Sequence, residues 1–171
     1  FHAAERTFQL LTQAAGRAGR GDAPGDVIIQ TYNPEHYAVL TAKAQDYESF
    51  YEQEIMYRQI GFYPPVWDLL LIMCTSENEK QLQFASEKIA KRLQEQVDNI
   101  AELERKPIQI VGPADAIIAR VNDVYRKVIY IKAKDYQNLV LLKDRLEYYI
   151  KDNRDFQNVS VQFDFNPMSG F

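Results

Sequence analysis

The sequence has few of the residues that staple or coordinate: one cysteine, Cys74, and two histidines, His2 and His36, in 171 residues. A lone cysteine excludes an intrachain disulfide, and one thiol with two imidazoles argues against a zinc site. Cys74 follows the apolar run Leu69-Leu70-Leu71-Ile72-Met73 and reads as a buried thiol in a reducing compartment. No apolar stretch approaches the roughly 20 residues that span a bilayer, and no basic-then-apolar leader opens the chain, so a soluble, cytoplasmic protein is expected. A G-x-x-x-x-G-K-[ST] phosphate loop and an acidic D-E-x-H metal motif are also missing. Without them the chain alone is expected to organise no ATP, to hold no cofactor or metal and to show no ATPase activity. The opening Phe1-His2-Ala3-Ala4-Glu5-Arg6 lacks an initiator Met and runs directly into a helical pattern, which reads as a segment of a longer chain.

The net charge of −4 is unevenly spread: 3 basic against 3 acidic residues in 1–34, 8 against 13 in 35–106, and 9 against 8 in 107–171. A net acidic chain lacks the global field of a nonspecific nucleic-acid binder, yet a local basic face suffices for phosphate contacts. Charge neither selects nor excludes DNA. The acidic face around Glu87, Glu95, Asp98, Glu102 and Glu104 reads as a solvated helix surface.

Phe8, Leu11 and the alanines of residues 3–15 recur at helical spacing, and the glycines of Gly16-Arg17-Ala18-Gly19-Arg20-Gly21 are expected to end that helix in a loop. A turn at Asp22-Ala23-Pro24-Gly25 and a strand from Asp26 to Tyr32 are expected next. Pro34 can open a helix over His36–Ala44, and Asp46 can cap another through Tyr57, ended by Gly61. Tyr47, Phe50, Tyr51 and Tyr57 on that second helix could form a partner groove, but helical spacing favours reading them as interdomain core; Trp67, beside Pro64-Pro65, is ambiguous in the same way. Tyr63-Pro64-Pro65 forces extended backbone and marks a domain boundary.

Beyond it the pattern alternates. A fully apolar strand, Val66–Thr75, precedes a long helix from Glu77 to about Arg105 with the stripe Leu82, Ala85, Ile89, Leu93, Val97 and Ile100. A strand from Pro107 is interrupted at Gly112-Pro113 and continues as a strand or bulged edge through Ile117, Ile118 and Val121, and its hairpin partner runs from Tyr125 to Ala133. A helix over Asp135–Lys151 and a strand alternating through Val159, Val161, Phe163 and Phe165 close the pattern. The order β-α-β-β-α-β defines an α+β fold, the ferredoxin-like split βαβ sandwich, with two helices on one face of a four-stranded antiparallel sheet.

Two groups of residues carry chemistry. Gln13-Ala14-Ala15-Gly16-Arg17-Ala18-Gly19-Arg20 resembles the Q-x-x-G-R-x-G-R sequence, motif VI, of superfamily-two helicases. Guanidinium forks suit the charge that develops on a transferred γ-phosphoryl, and glycines let the backbone approach a nucleotide held by a facing lobe. The resemblance makes Arg17 and Arg20 arginine fingers and places Gln13, Gly16 and Gly19 at the nucleotide; the bland alternative is a glycine-rich turn whose arginines cap a helix or face solvent. The second group is the hairpin, with Arg120, Tyr125, Arg126, Lys127, Tyr130 and Lys132. Strand alternation puts Arg126, Tyr130 and Lys132 on one face, able to hold phosphates and stack a base. An ordinary solvated face, with lysines defending a sheet edge and Asp115, Asp123 and Asp135 nearby, fits the same residues.

A wider set of segments is shared with one family: Ala4-Glu5-Arg6-Thr7 through Gly21, Val27 through Pro34, Asp46 through Tyr51, Gly61-Phe62-Tyr63-Pro64-Pro65, Gly112-Pro113-Ala114, Tyr125-Arg126, and Phe163-Asp164-Phe165-Asn166-Pro167. Over essentially its whole length the chain resembles the primosomal protein N′ family of replication-restart helicases. The resemblance implies the carboxy-terminal part of an ATP- and magnesium-dependent 3′-to-5′ DNA helicase. Residues 1–34 would end its second, RecA-like motor lobe, 35–65 would connect, and 66–171 would form a domain similar to the tenth small-subunit ribosomal protein. Implied partners are forked and single-stranded DNA, single-stranded-DNA-binding protein and other primosome proteins. A rival reading from another class is a protein-interaction module with little DNA affinity, which the net acidity favours; an unrelated ferredoxin-like metabolic domain would leave the motif VI match unexplained.

Overall fold

The computed structural model describes residues 2–18, 26–99 and 107–168. The chain divides into two compact units, 1–61 and 62–171.

The first unit is helical: α1 (Ala3–Ala18), α2 (Tyr37–Ala44) and α3 (Tyr47–Gly61). α1 does not stop before Gly16. It carries Gly16-Arg17-Ala18 in the helix, because alanines and arginine on either side are strong helix formers and one interior glycine costs only about 1 kcal/mol. His36 caps α2, its Nδ1 accepting from the Ala38 amide at 3.2 Å. Asp46 caps α3 as expected, accepting from the Ser49 amide at 3.0 Å and the Ser49 hydroxyl at 2.6 Å. Phe8, Ala38, Ala42 and Phe50 form the small core that joins the three helices, with Phe8 stacked on Phe50 at 4.3 Å between centroids. Tyr47, Tyr51 and Tyr57, expected as core, are each more than half exposed; Phe50 alone of that set is buried.

Residues 26–32 are not a strand. The backbone there pairs with nothing among the described residues, and Ile28 is 93% exposed. An apolar β-branched run becomes a strand only when a ladder partner exists, and the described residues of this unit include no strand to supply one. The turn expected at 22–25 lies outside the described residues.

The second unit runs β1 (Asp68–Ser76), α4 (Glu79–Asn99), β2 (Ile108–Val121), β3 (Val124–Ala133), α5 (Tyr136–Lys151), a short 3-10 turn (Arg154–Phe156) and β4 (Ser160–Phe165). The sheet order is β2-β3-β1-β4, with every neighbouring pair antiparallel. This is the split βαβ sandwich that the alternation predicts. β1 is central and almost wholly buried, which explains its unbroken apolar run. Its Leu70, Ile72 and Cys74 meet Leu82, Ala85, Ile89 and Leu93 of α4 and Leu139, Leu142 and Leu146 of α5. Each fully buried aliphatic side chain here contributes about 1.5–3 kcal/mol of transfer free energy. Val97 packs at the margin of the same core, while Ile100 and Arg105 lie outside the described residues.

Asn78 caps α4, accepting from the Gln81 amide at 3.1 Å, and Asp135 caps α5, accepting from the Gln137 amide at 3.0 Å. β2 is one bulged strand rather than two pieces. Its register against β3 slips between Val111 and Ala114, and again between Asp115 and Arg120. At the first slip Gly112 has φ +109°, and a Cβ there would lie 2.7 Å from the Val128 carbonyl oxygen, so only glycine fits. Asn166 ends β4 and ties it to β1: its amide donates to the Leu69 carbonyl at 2.7 Å, and its side-chain oxygen accepts from the Leu69 amide at 2.8 Å. No helix among the described residues is long and apolar enough to cross a membrane.

Candidate functional site

On α1, Gln13 and Arg17 stand one helical turn apart, on the same face, and both are exposed. Gly16, beside them, has open space where a Cβ would be. Arg17 makes no ion pair among the described residues, so its guanidinium presents its donors outward. Such an arrangement fits a phosphate chain presented by a second body: cationic, uncovered, and carried on a helix anchored elsewhere. Gly19 and Arg20 lie outside the described residues.

The anchor is a cluster that sequence reasoning missed. Glu54, 7% exposed, accepts the Tyr37 hydroxyl and the Arg58 Nε–H, the latter at 2.7 Å. The Arg58 Nη2 donates on to Glu5 of α1 at 2.8 Å, and Glu5 also meets His2 Nδ1 at 3.0 Å. A carboxylate-guanidinium relay thus ties the motif-bearing helix to α3. The i,i+4 spacing of Glu54 and Arg58 is the one signal that could have found part of it; the reach from Arg58 to Glu5 depends on how the helices pack.

This cluster is expected to make the unit's stability pH-dependent at both ends. The hydrogen bond with His2 and then that from Arg58 hold the Glu5 carboxyl below its ordinary 4.5. Its contribution is therefore present above that value and lost as pH falls through the lower folded one. Burial first, then the hydrogen bond to Glu54, raise the Tyr37 phenol above its ordinary 10.0. That contribution is complete below pH 10 and lost as pH rises through the higher folded value. Melting of residues 1–61 followed by circular dichroism should show both limbs, and Tyr37→Phe should flatten the alkaline limb alone. An alkaline limb unchanged in Tyr37→Phe would place its origin elsewhere.

The hairpin residues do not form one surface. Arg126, Tyr130 and Lys132 share the sheet face opposite the helices, as strand alternation requires, but Tyr125 lies on the helix side, packed against the main core. Lys132 is 9% exposed, with its Nζ 3.8 Å from the centre of the Tyr63 ring, so it is covered rather than displayed. Arg126 is half-buried with Nη2 3.4 Å from the Met73 sulfur. Lys127 pairs with Asp115 at 2.8 Å; Arg120 pairs with Asp123 at 2.5 Å and stacks over Tyr125 at 4.9 Å. Burial, and then the neighbouring Tyr63, push the Tyr130 phenol up. Sequence alone could not show this covering, because Tyr63 and Lys132 are 69 positions apart.

Fold and surface together define a small α+β module with two units, a split βαβ sandwich and a three-helix unit that displays a glycine-arginine helix end. The family described as Primosomal protein N C-terminal domain matches residues 59–168, and the chain belongs to that family. It is 41% identical over 168 residues to the Replication restart protein PriA of Bacillus subtilis (strain 168), covering 98% of this chain and 20% of that protein. The protein of the same name from Synechocystis sp. is 34% identical over 99% of this chain and 19% of its own length, and that from Chlamydia pneumoniae is 30% identical over 100% and 22%. The chain thus spans about a fifth of the length of these relatives.

Proposed function

We propose that this chain is the carboxy-terminal part of an ATP-dependent 3′-to-5′ DNA helicase that restarts replication in the bacterial cytoplasm, with residues 1–34 closing its second motor lobe. The observation that carries this reading is the exposed Gln13–Arg17 face, set within the full Q-x-x-G-R-x-G-R spacing. ATP with magnesium would be held by the phosphate loop of the other lobe. Arg17 and Arg20 would reach its γ-phosphoryl as fingers, with Gln13 helping to position that phosphate end and Gly16 and Gly19 permitting close approach. The sandwich would contact DNA and primosome partners.

A second reading has its own support. The hairpin's Arg120 and Lys127 are each ion-paired and Lys132 is covered, which favours a protein-interaction module, with single-stranded-DNA-binding protein among its partners. Salt separates the two readings. Anisotropy of labelled single-stranded and forked DNA, titrated with the purified chain, should show binding that weakens steeply with salt and is lost in Arg126→Glu. Absence of binding at low salt would favour the interaction module.

A further inference from the structure

α1, the helix that carries Gln13 and Arg17, is gripped through its amino-terminal part. Phe8 is its one buried side chain among the described residues, with Ala4 and Leu11 packed at the margin of the same small core. Beside that apolar contact stands a directional one, the ion pair of Glu5 with the Arg58 Nη2 at 2.8 Å. Arg58 is in turn set by its own helix: its Nε donates to Glu54 at 2.7 Å, its side chain is 11% exposed, and Glu54 is buried. The guanidinium edge offered to Glu5 is therefore fixed from α3, and α1 takes its orientation from it. Gln13 and Arg17 lie beyond all of these contacts, and both are exposed.

We propose that Glu5 is a positioning residue for nucleotide hydrolysis, which by gripping Arg58 sets the tilt and roll of α1 and with them the place of Arg17. The proposal rests on the helicase reading above and adds to it a residue far from the motif. Phe8, stacked on Phe50 at 4.3 Å, acts as the pivot, because stacked rings attract over a range of offsets and do not fix a direction. A carboxylate on the edge of a rigid guanidinium fork does fix one. At about 1.5 Å of rise per residue, Glu5 stands about 4.5 Å from Phe8 along the helix axis and Arg17 about 13.5 Å from it on the other side. A tilt that lets Glu5 drift by about 1 Å thus carries Arg17 by about 3 Å. Misplacing a group at a reacting centre by about 1 Å can cost about 100-fold in rate. A lever of this ratio makes a small slip at Glu5 a large one at the phosphate.

The test is steady-state ATP hydrolysis by the full-length protein at saturating DNA. Glu5→Ala should lower kcat about 10- to 100-fold and leave KM for ATP within about twofold, because the ground-state nucleotide would be held by the other lobe. The circular dichroism spectrum at the assay temperature should match wild type, since the Phe8–Phe50 stack and the Glu54–Arg58 pair remain. Glu5→Gln, whose side-chain oxygen can still accept from Arg58, should recover part of the rate. The decisive comparison is with Arg17→Ala: if Glu5 acts through Arg17, then Glu5→Ala added to Arg17→Ala should slow turnover no further, whereas a general loss of structure would multiply with it. Wild-type kcat in Glu5→Ala, or a loss that multiplies with that of Arg17→Ala, would overturn the proposal and leave the helicase reading standing. Turnover unchanged by Arg17→Ala itself would remove both.

Discussion

Arg17→Ala in the full-length helicase proposed here should lower DNA-stimulated ATP hydrolysis on the order of 10³-fold or more, the usual loss for an arginine finger. DNA affinity and thermal stability should stay unchanged. The structural half of that expectation follows from where Arg17 sits. Its side chain is exposed near the end of α1 and pairs with no carboxylate among the described residues. An exposed helical arginine of this kind changes stability by no more than about 0.5 kcal/mol when truncated. A large kinetic loss with an intact fold would therefore report the missing charge rather than a damaged scaffold. Arg17→Lys should recover only part of the rate, because an ammonium keeps the charge but not the two-edged fork. Turnover equal to wild type in Arg17→Ala would remove this residue from the nucleotide.

The largest stability effect is expected at Glu54. Its carboxylate is the hub between the Tyr37 hydroxyl and Arg58, whose side chain is 11% exposed. Removing one partner of a buried ion pair leaves the other charge poorly compensated, typically at about 3–5 kcal/mol. Against total stabilities of about 5–15 kcal/mol, Glu54→Ala should remove a large share of the stability of residues 1–61 while leaving them folded at ambient temperature. Arg58 keeps its link to Glu5, which places the loss at the lower end of that range. Glu54→Gln, which can still accept the Tyr37 hydroxyl, should lose less. Urea unfolding and amide exchange of α1 and α3 would measure both; wild-type protection of α1 in Glu54→Ala would show that the relay does not hold the helix.

The sandwich was legible in the sequence because its signals are local. The apolar run 69–74, the 3.6-residue stripe of α4 and the alternation of β4 each name an element without reference to any other. The order of those elements then leaves few topologies. Legibility failed where an element's identity depends on a partner. Residues 27–29 have strand-forming chemistry but pair with no strand among the described residues, and Gly16 stays helical because its neighbours outweigh it. Gly112-Pro113 reads as a break in isolation, yet antiparallel pairing to β3 absorbs it as a bulge. The sites divide in the same way. Gln13 and Arg17 follow from spacing along one helix, whereas the covering of Lys132 by Tyr63 and the relay from Glu5 to Glu54 arise only when distant segments meet.

The most direct test of the central claim is capture of ADP with aluminium fluoride and magnesium, a mimic of the transferring γ-phosphoryl, by the full-length protein. If Arg17 and Arg20 complete the nucleotide site, wild type should retain the mimic through gel filtration in the presence of DNA, while Arg17→Ala and Arg20→Ala retain ADP alone. Equal retention of the mimic by all three proteins would contradict the assignment of α1 to an ATP-driven motor.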